Sequence, residues 1–465
     1  VTSMKTILFL GLFSAAGYFL MASVGDVRPH IYAFLSVYGV LFSAYVSAVY
    51  VVLRKGSGNT QPASQSRELV AILLFAAIFR TLLLFDYPYL TDDIYRYLWD
   101  GRVWSNVINP YLFAPSSAAL EHLRDSKIHP FINHAGIPTI YAPLLQFVFR
   151  LVHEISPTFW FLKTVVSFFD FGVIAMLLVL LKMLALDRRL VVMYAWNPLV
   201  VVETACSGHI DSIGVFFLLV FFYFFSRARL VPAAVALALT TVTKFVALIL
   251  LPFVLLKFGW KKTVLFGAVV STTILLTYSP FLGAGLALFE AMRVYTAKWL
   301  FNASLFRIVF ALVEFFSASE NLDTRLLIAK IFVAVVFAAI CVKLFVRRLK
   351  VGYERQNTAV LHEWFVLFGS MCVLSPTLHP WYLIWLVPVL VFFHNRAWLL
   401  LTGLIFLSYQ VLQKYYEANI WSESGVVLLL IYLPFYALLL FDFFRQRRVE
   451  NKFFSTESAR FFEGS

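Results

Sequence analysis

Residues 91–102, Thr91-Asp92-Asp93-Ile94-Tyr95-Arg96-Tyr97-Leu98-Trp99-Asp100-Gly101-Arg102, hold three carboxylates and two guanidiniums in a chain that is 61% hydrophobic and 14% charged. A carboxylate near neutral pH can take a proton from a hydroxyl, and arginine can hold a phosphate. Charge at the edge of a bilayer is costly, so a cluster of this kind has a task. Asp93, Tyr97 and Asp100 recur at helical spacing, which places them on one helix face with Arg96 between. Asp92, with Thr91 before it, can cap that helix. Anchoring alone would also explain an interfacial helix with mixed charges and aromatics. A catalytic reading therefore needs a second polar set on the same side.

The elements that must position these residues are membrane segments. Mean hydropathy is +0.84, far from a soluble composition. Runs of about 20 apolar residues recur, giving roughly 12–14 expected segments. They fall at 6–24, 31–53, 69–86, 159–186, 190–205, 211–226, 263–281, 323–346, 361–377, 381–394, 397–413 and 425–444, with 140–153 short and 231–257 long. The run 6–24 lacks a small-residue cleavage site and reads as a mature span. Residues 231–257 carry Lys244 mid-segment and prolines at 232 and 252, which predicts a broken or re-entrant hairpin. The fold class is all-α, a polytopic helical membrane protein with short amphipathic helices in the first large loop. Three regions are expected: 1–68, two helices and a polar linker; 69–394, the catalytic core with loop 87–137; and 395–465, the last helices and tail.

The net charge of +13 does not point to nucleic acid. Its basic residues sit in short clusters between apolar runs, such as Arg188/Arg189, Arg227/Arg229 and Lys261/Lys262, the pattern of cytoplasmic loops. With the N-terminus inside, 231–257 a hairpin and 140–153 dipping without crossing, every basic cluster falls inside. Loops 87–137, 206–210, 282–304, 378–380 and 414–424 then fall outside. If 140–153 crosses, Arg188/Arg189 move outside unless another segment fails to cross. Both versions keep 87–137 outside. Three scattered cysteines form neither a disulfide framework nor a metal site.

The second polar set comes from four places on that side. They are Ser207-Gly208-His209-Ile210-Asp211-Ser212, the stretch Ser375 to Tyr382, Lys244, and loop 293–307 with Arg307. One carboxylate cluster facing His, Lys and Arg suits an anionic lipid phosphate beside a sugar. Lys244 could instead snorkel, and Pro380-Trp381-Tyr382 could be an aromatic belt.

The order of motifs now resembles a family. An acidic loop follows an early span. Then come Asn109-Pro110-Tyr111, Tyr141-Ala142-Pro143-Leu144, Trp196-Asn197-Pro198-Leu199, Gly208-His209-Ile210-Asp211, Lys244-Phe245 and His379-Pro380-Trp381-Tyr382. This resembles GT-C membrane glycosyltransferases that use polyprenyl-phosphate sugars, above all the bacterial polyprenyl-phosphate-mannose mannosyltransferases. The first mannosyltransferase of GPI-anchor synthesis has a similar order. The likeness runs from about residue 69 to about residue 394.

The resemblance implies a hexose, commonly mannose, passed with inversion from a polyprenyl-phosphate donor to a lipid or glycan acceptor. It implies a bacterial plasma membrane, with the site on the periplasmic side. Asp93 or Asp92 takes the place of the family's base, with Asp93 favoured. His209, Lys244, His379 and Arg307 are the expected donor-phosphate ligands. Tyr95, Arg96, Asp100, Arg102, Asn109, Tyr111, Tyr141, Gln146, Asp211, Trp381 and Tyr382 are expected around the substrates. No cofactor or metal is expected, although the second acidic residue leaves a metal-assisted variant open. The partners are the lipid-linked donor, the acceptor and membrane lipids, without nucleic acid. A transporter or flippase of lipid-linked sugars is the rival reading; it would show paired broken helices and an internal repeat. Only the segment around Lys244 fits that pattern, and no repeat is present.

Overall fold

The computed structural model describes residues 2–54, 62–317, 319–352 and 358–462. The chain is all-helical, as expected. Helices α1 (Thr2–Ser23) and α2 (Ile31–Arg54) pack with each other, and α1 also packs on α3 (Pro62–Leu84). After them come α4 (Asp93–Ser105), α5 (Pro143–Ile155), α6 (Phe159–Met183), α7 (Val192–Ala195), α8 (Pro198–Val201), α9 (Asp211–Ser226), α10 (Leu230–Thr241) and α11 (Leu251–Tyr278). The rest are α12 (Glu290–Lys298), α13 (Leu305–Phe316), α14 (Leu322–Val351), α15 (Ala359–Leu374), α16 (Val387–Phe393), α17 (Arg396–Leu404), α18 (Val411–Ala418) and α19 (Gly425–Phe462). Among the described residues there is no strand, only a parallel bridge between Phe301 and Thr377.

Six stretches are long and apolar enough to cross a membrane: Ser3–Ser23, Ile31–Arg54, Phe159–Met183, Phe245–Lys298, Leu322–Val351 and Gly425–Arg445. Shorter apolar helices α9, α10 and α15 accompany them. Three expected spans are not single helices. Residues 190–205 divide into α7, α8 and a π-turn at Val202–Cys206, because Asn197-Pro198 interrupts the ladder. Residues 381–394 start as a tight 3-10 turn and end at His394 in the left-handed region. Residues 397–413 break at the 3-10 turn Ile405–Gln410. These broken pieces are deeply buried, which lets irregular backbone persist inside a membrane protein. Of the expected linker 55–68, residues 55–61 lie outside the described ones. The rest opens α3, and Glu68 pairs with the buried Arg189 at 2.6 Å.

Two side chains fix the direction of the bundle around the acidic loop. Lys163, near the start of α6, donates to the carbonyls of Leu83 at 3.0 Å and Asp86 at 2.6 Å. Trp160 donates to the carbonyl of Phe85 at 3.1 Å. The α6 start therefore lies at the α3 end. The start of α5 lies at this same end, since Leu144 N–H reaches the carbonyl of Val242 just past α10 at 3.1 Å. Both ends of α5 thus meet one end of the bundle, so α5 lies across it. Below, Arg80 pairs with Asp170, which accepts from Tyr194 at 2.6 Å, tying α3 to α6 and α7. In lipid, where apolar packing gives no preference between neighbours, such polar ties specify which helices meet.

Candidate active site

Helix α4 forms where expected but not as a surface helix. Ten of its residues, from Ile94 to Trp104, are buried beneath loop 106–142 and against α5. Thr91, not Asp92, serves its first turn: the Thr91 hydroxyl accepts from Asp93 N–H at 3.1 Å. Asp92 stands at the cap position with helical backbone angles and no capping bond. This corrects the expected capping role.

The two neighbouring carboxylates face different surroundings. Asp93 accepts from Asn133 Nδ2 at 2.8 Å and lies within electrostatic reach of Asp92, Asp211 and Arg96. Burial pushes its pKa up to about 6, against the Asn133 bond, which favours the charged form. Asp92 is also raised by burial, and there the nearby charge is Arg28.

Opposite Asp93 stands a tight group around Asp211, at the start of α9. Its Oδ1 accepts from Lys244 Nζ at 3.0 Å and from Trp385 Nε1 at 2.5 Å. Lys244 sits at the break after α10 in extended backbone, as the broken segment predicted. Its ammonium lies 3.8 Å from the Tyr382 ring centroid, and its side chain stays 33% exposed. Tyr382 in turn shares a 2.6 Å hydrogen bond with Tyr295 of α12. His134 packs edge-on to Trp299 at 4.6 Å, so loop 87–137 closes on the segment after α12.

Two glycines make this convergence possible. Gly208 has φ +75, and a Cβ there would crowd Lys163 and Ile94, so the 207–210 turn can lie directly on α4 and α6. At Gly214 a Cβ would overlap the Trp385 ring, which must reach across α9 to Asp211.

The two histidines differ from expectation in their chemistry. His209 is fully buried, 3.5 Å from Glu203, and its ring stacks on Trp381 at 3.9 Å. His379 stacks on the same indole at 4.3 Å and on Phe301 at 4.8 Å. Burial lowers the His209 pKa to about 4 and the His379 pKa to about 3. The two rings belong to one continuous stack, and burial favours their neutral, hydrogen-bonding form. Arg307 stands apart, paired with Glu423, which also accepts from Asn302 N–H.

Most residues expected around the substrates hold the loop together. Arg96 pairs with Asp100 at 2.9 Å, leaving one guanidinium nitrogen buried without a partner. Asp100 also accepts from Thr139 at 2.5 Å and Gln146 at 3.3 Å. Arg102 grips Asp125 at 2.6 Å, and Asn109 donates to the carbonyl of Phe281 at 3.1 Å. Tyr111 donates to the carbonyl of Tyr141 at 2.7 Å, and Tyr95 stacks on Phe131 at 5.1 Å.

A family model described as alpha-(1->6)-mannopyranosyltransferase, N-terminal domain, matches residues 15–259, and one described as MptB C-terminal domain matches residues 305–440. The chain belongs to this mannosyltransferase family. Neither curated proteins nor solved structures gave a match. The protein is therefore a GT-C type glycosyltransferase, an integral membrane enzyme with a sugar donor and a glycan or lipid acceptor. The first match contains Asp93, His209, Asp211 and Lys244; the second contains His379, Trp381 and Trp385.

Sequence reasoning about this mannosyltransferase missed Asn133, Trp385 and Glu203. Asn133 lies 40 residues from Asp93 in a loop without periodicity, and Trp385 reads as one more aromatic in an apolar run. Glu203 carried a signal that was overlooked, a lone carboxylate inside an apolar segment.

Proposed function

We propose that this mannosyltransferase takes mannose from a polyprenyl-phosphate donor and passes it to a lipid or glycan acceptor at the outer face of a bacterial plasma membrane. The observation that carries the reading is a half-buried carboxylate, Asp93, within electrostatic reach of Asp211, which holds the partly exposed ammonium of Lys244 at 3.0 Å. Asp93 takes the proton of the acceptor hydroxyl as its oxygen attacks the anomeric carbon. The bond from that carbon to the phosphate oxygen breaks, and its electron pair leaves with the polyprenyl phosphate. The departing phosphate gains charge, which Lys244 meets. An α product formed in one displacement requires a β-configured donor, hence inversion. A leaving phosphate needs no general acid. We propose that no metal takes part. Sidedness rests on the basic clusters, which the positive-inside rule assigns to the cytoplasm.

The test is transfer of labelled mannose from synthetic polyprenyl-phosphate-mannose into a membrane lipid extract, with and without EDTA. Wild type is expected to transfer in both conditions. Asp93→Asn is expected to lose at least about a hundredfold in kcat, the scale of a removed general base. Loss in Asp92→Asn alone would move the base by one residue. Wild-type failure with mannose and success with another polyprenyl-linked sugar would overturn the donor.

A further inference from the structure

Asp92 has surroundings that the transfer step does not use. Three segments meet beside it, from the α1–α2 connection, the α3–α4 connection and α18. From the first, Arg28 is held by Asp26 through three hydrogen bonds at 2.7, 2.9 and 3.2 Å. The Arg28 guanidinium lies 5.7 Å from the Tyr89 ring centroid and 5.4 Å from that of Tyr416. Tyr87 packs against Tyr89 at 4.6 Å. Arg28 is near enough that its charge acts on Asp92. The patch remains open: Tyr416 is 50% exposed, and the side chains of Arg28 and Asp26 are 34% and 29% exposed. The Asp92 carboxylate is partly exposed and pairs with no side chain among the described residues.

We propose that Asp92, Arg28, Tyr89 and Tyr416 form the subsite for the acceptor's sugar chain, one residue away from the carboxylate that activates its hydroxyl. The inference rests on the transferase reading above. Its chemistry is that of a neutral, hydroxyl-rich ligand. Ring faces cover the apolar side of a sugar, while a free carboxylate accepts from its hydroxyls. A free anion is poorly served, because the Arg28 charge is already met by Asp26. The two Cα atoms lie about 3.8 Å apart and the Asp92 carboxylate is near enough that its charge acts on Asp93, so a sugar held at Asp92 borders the reacting hydroxyl.

The experiment compares octyl α-mannoside with an octyl α-1,6-mannobioside as acceptors for purified protein in neutral detergent. Tyr416→Ala and Arg28→Ala are expected to raise the KM for the mannobioside about tenfold, with donor KM unmoved and kcat within about threefold. Tyr416→Phe keeps the ring and is expected to behave as wild type. Arg28→Lys loses planar stacking and is expected to resemble Arg28→Ala. Direct binding of the mannobioside to Asp93→Asn protein, with and without Tyr416→Ala, needs no turnover and separates this inference from the transferase reading. An unmoved KM and unmoved binding would overturn the subsite. So would an effect confined to vesicles of anionic lipid, which would make the patch a headgroup contact.

Discussion

At the scale of single residues, Asp93 behaves as its environment dictates. A base must be ionised to accept a proton, and burial places its pKa at about 6. The raised value means that the active, charged form is lost as pH falls through about 6 and is complete above it. kcat/KM is therefore expected to fall on the acid side of that value and to level off at neutral pH. Asn133 donates to the charged carboxylate, so its removal disfavours ionisation. Asn133→Ala is expected to shift the acid limb upward by about one pH unit, the equivalent of a hydrogen bond to a charged group. An unshifted limb in a pH–rate profile would mean that another group controls it. Asp93 was legible in the sequence because charge is conspicuous in apolar surroundings. Asn133 was not, because a loop amide has no spacing rule and gains its meaning from a fold that brings residues 93 and 133 together. The burial of His209 and His379, which favours the neutral ring, is likewise something a single sequence does not display.

At the scale of elements, breaks in helices do the positioning. Lys244 reaches Asp211 because α10 ends at Thr241 and the chain turns through extended backbone. That break was readable from prolines and a lysine in an apolar run. The breaks inside 190–205 and 381–394 also had signals, Asn197-Pro198 and Pro388, but these were overlooked because buried irregular backbone has the same hydropathy as buried helix. Trp385, in the second of these, must pass over α9 to donate to Asp211. Only the missing side chain of Gly214 leaves room. Gly214→Ala is expected to push the indole away, break the bond to Asp211 and leave Lys244 less firmly held. A loss of about one hydrogen bond corresponds to roughly tenfold weaker donor use. The measurement is donor KM beside thermal stability. A lower Tm with unchanged donor KM would show that the indole serves packing alone.

At the scale of the whole molecule, the position of α5 decides which side of the membrane every later loop occupies. Counting basic clusters left this open, since 140–153 could cross or dip. Its helix has 13 residues, about 20 Å at 1.5 Å per residue, short of a hydrocarbon core near 30 Å. Its start meets Val242 and its end leads straight into α6 beside Phe85, so both termini stay at the end that carries Asp93. Arg188 then lies at the opposite end, after one crossing by α6. In a cysteine-free background, Ser126→Cys on the exposed outer loop is expected to react with an impermeant maleimide in intact spheroplasts. Arg188→Cys is expected to react only after permeabilisation. Reaction of both from outside would mean that α5 does cross, and the count of basic residues would then have to yield at that cluster. Reaction of Arg188→Cys alone from outside would invert the protein. The carboxylates would then face the cytoplasm, and the lipid-linked donor would have to be supplied on that side.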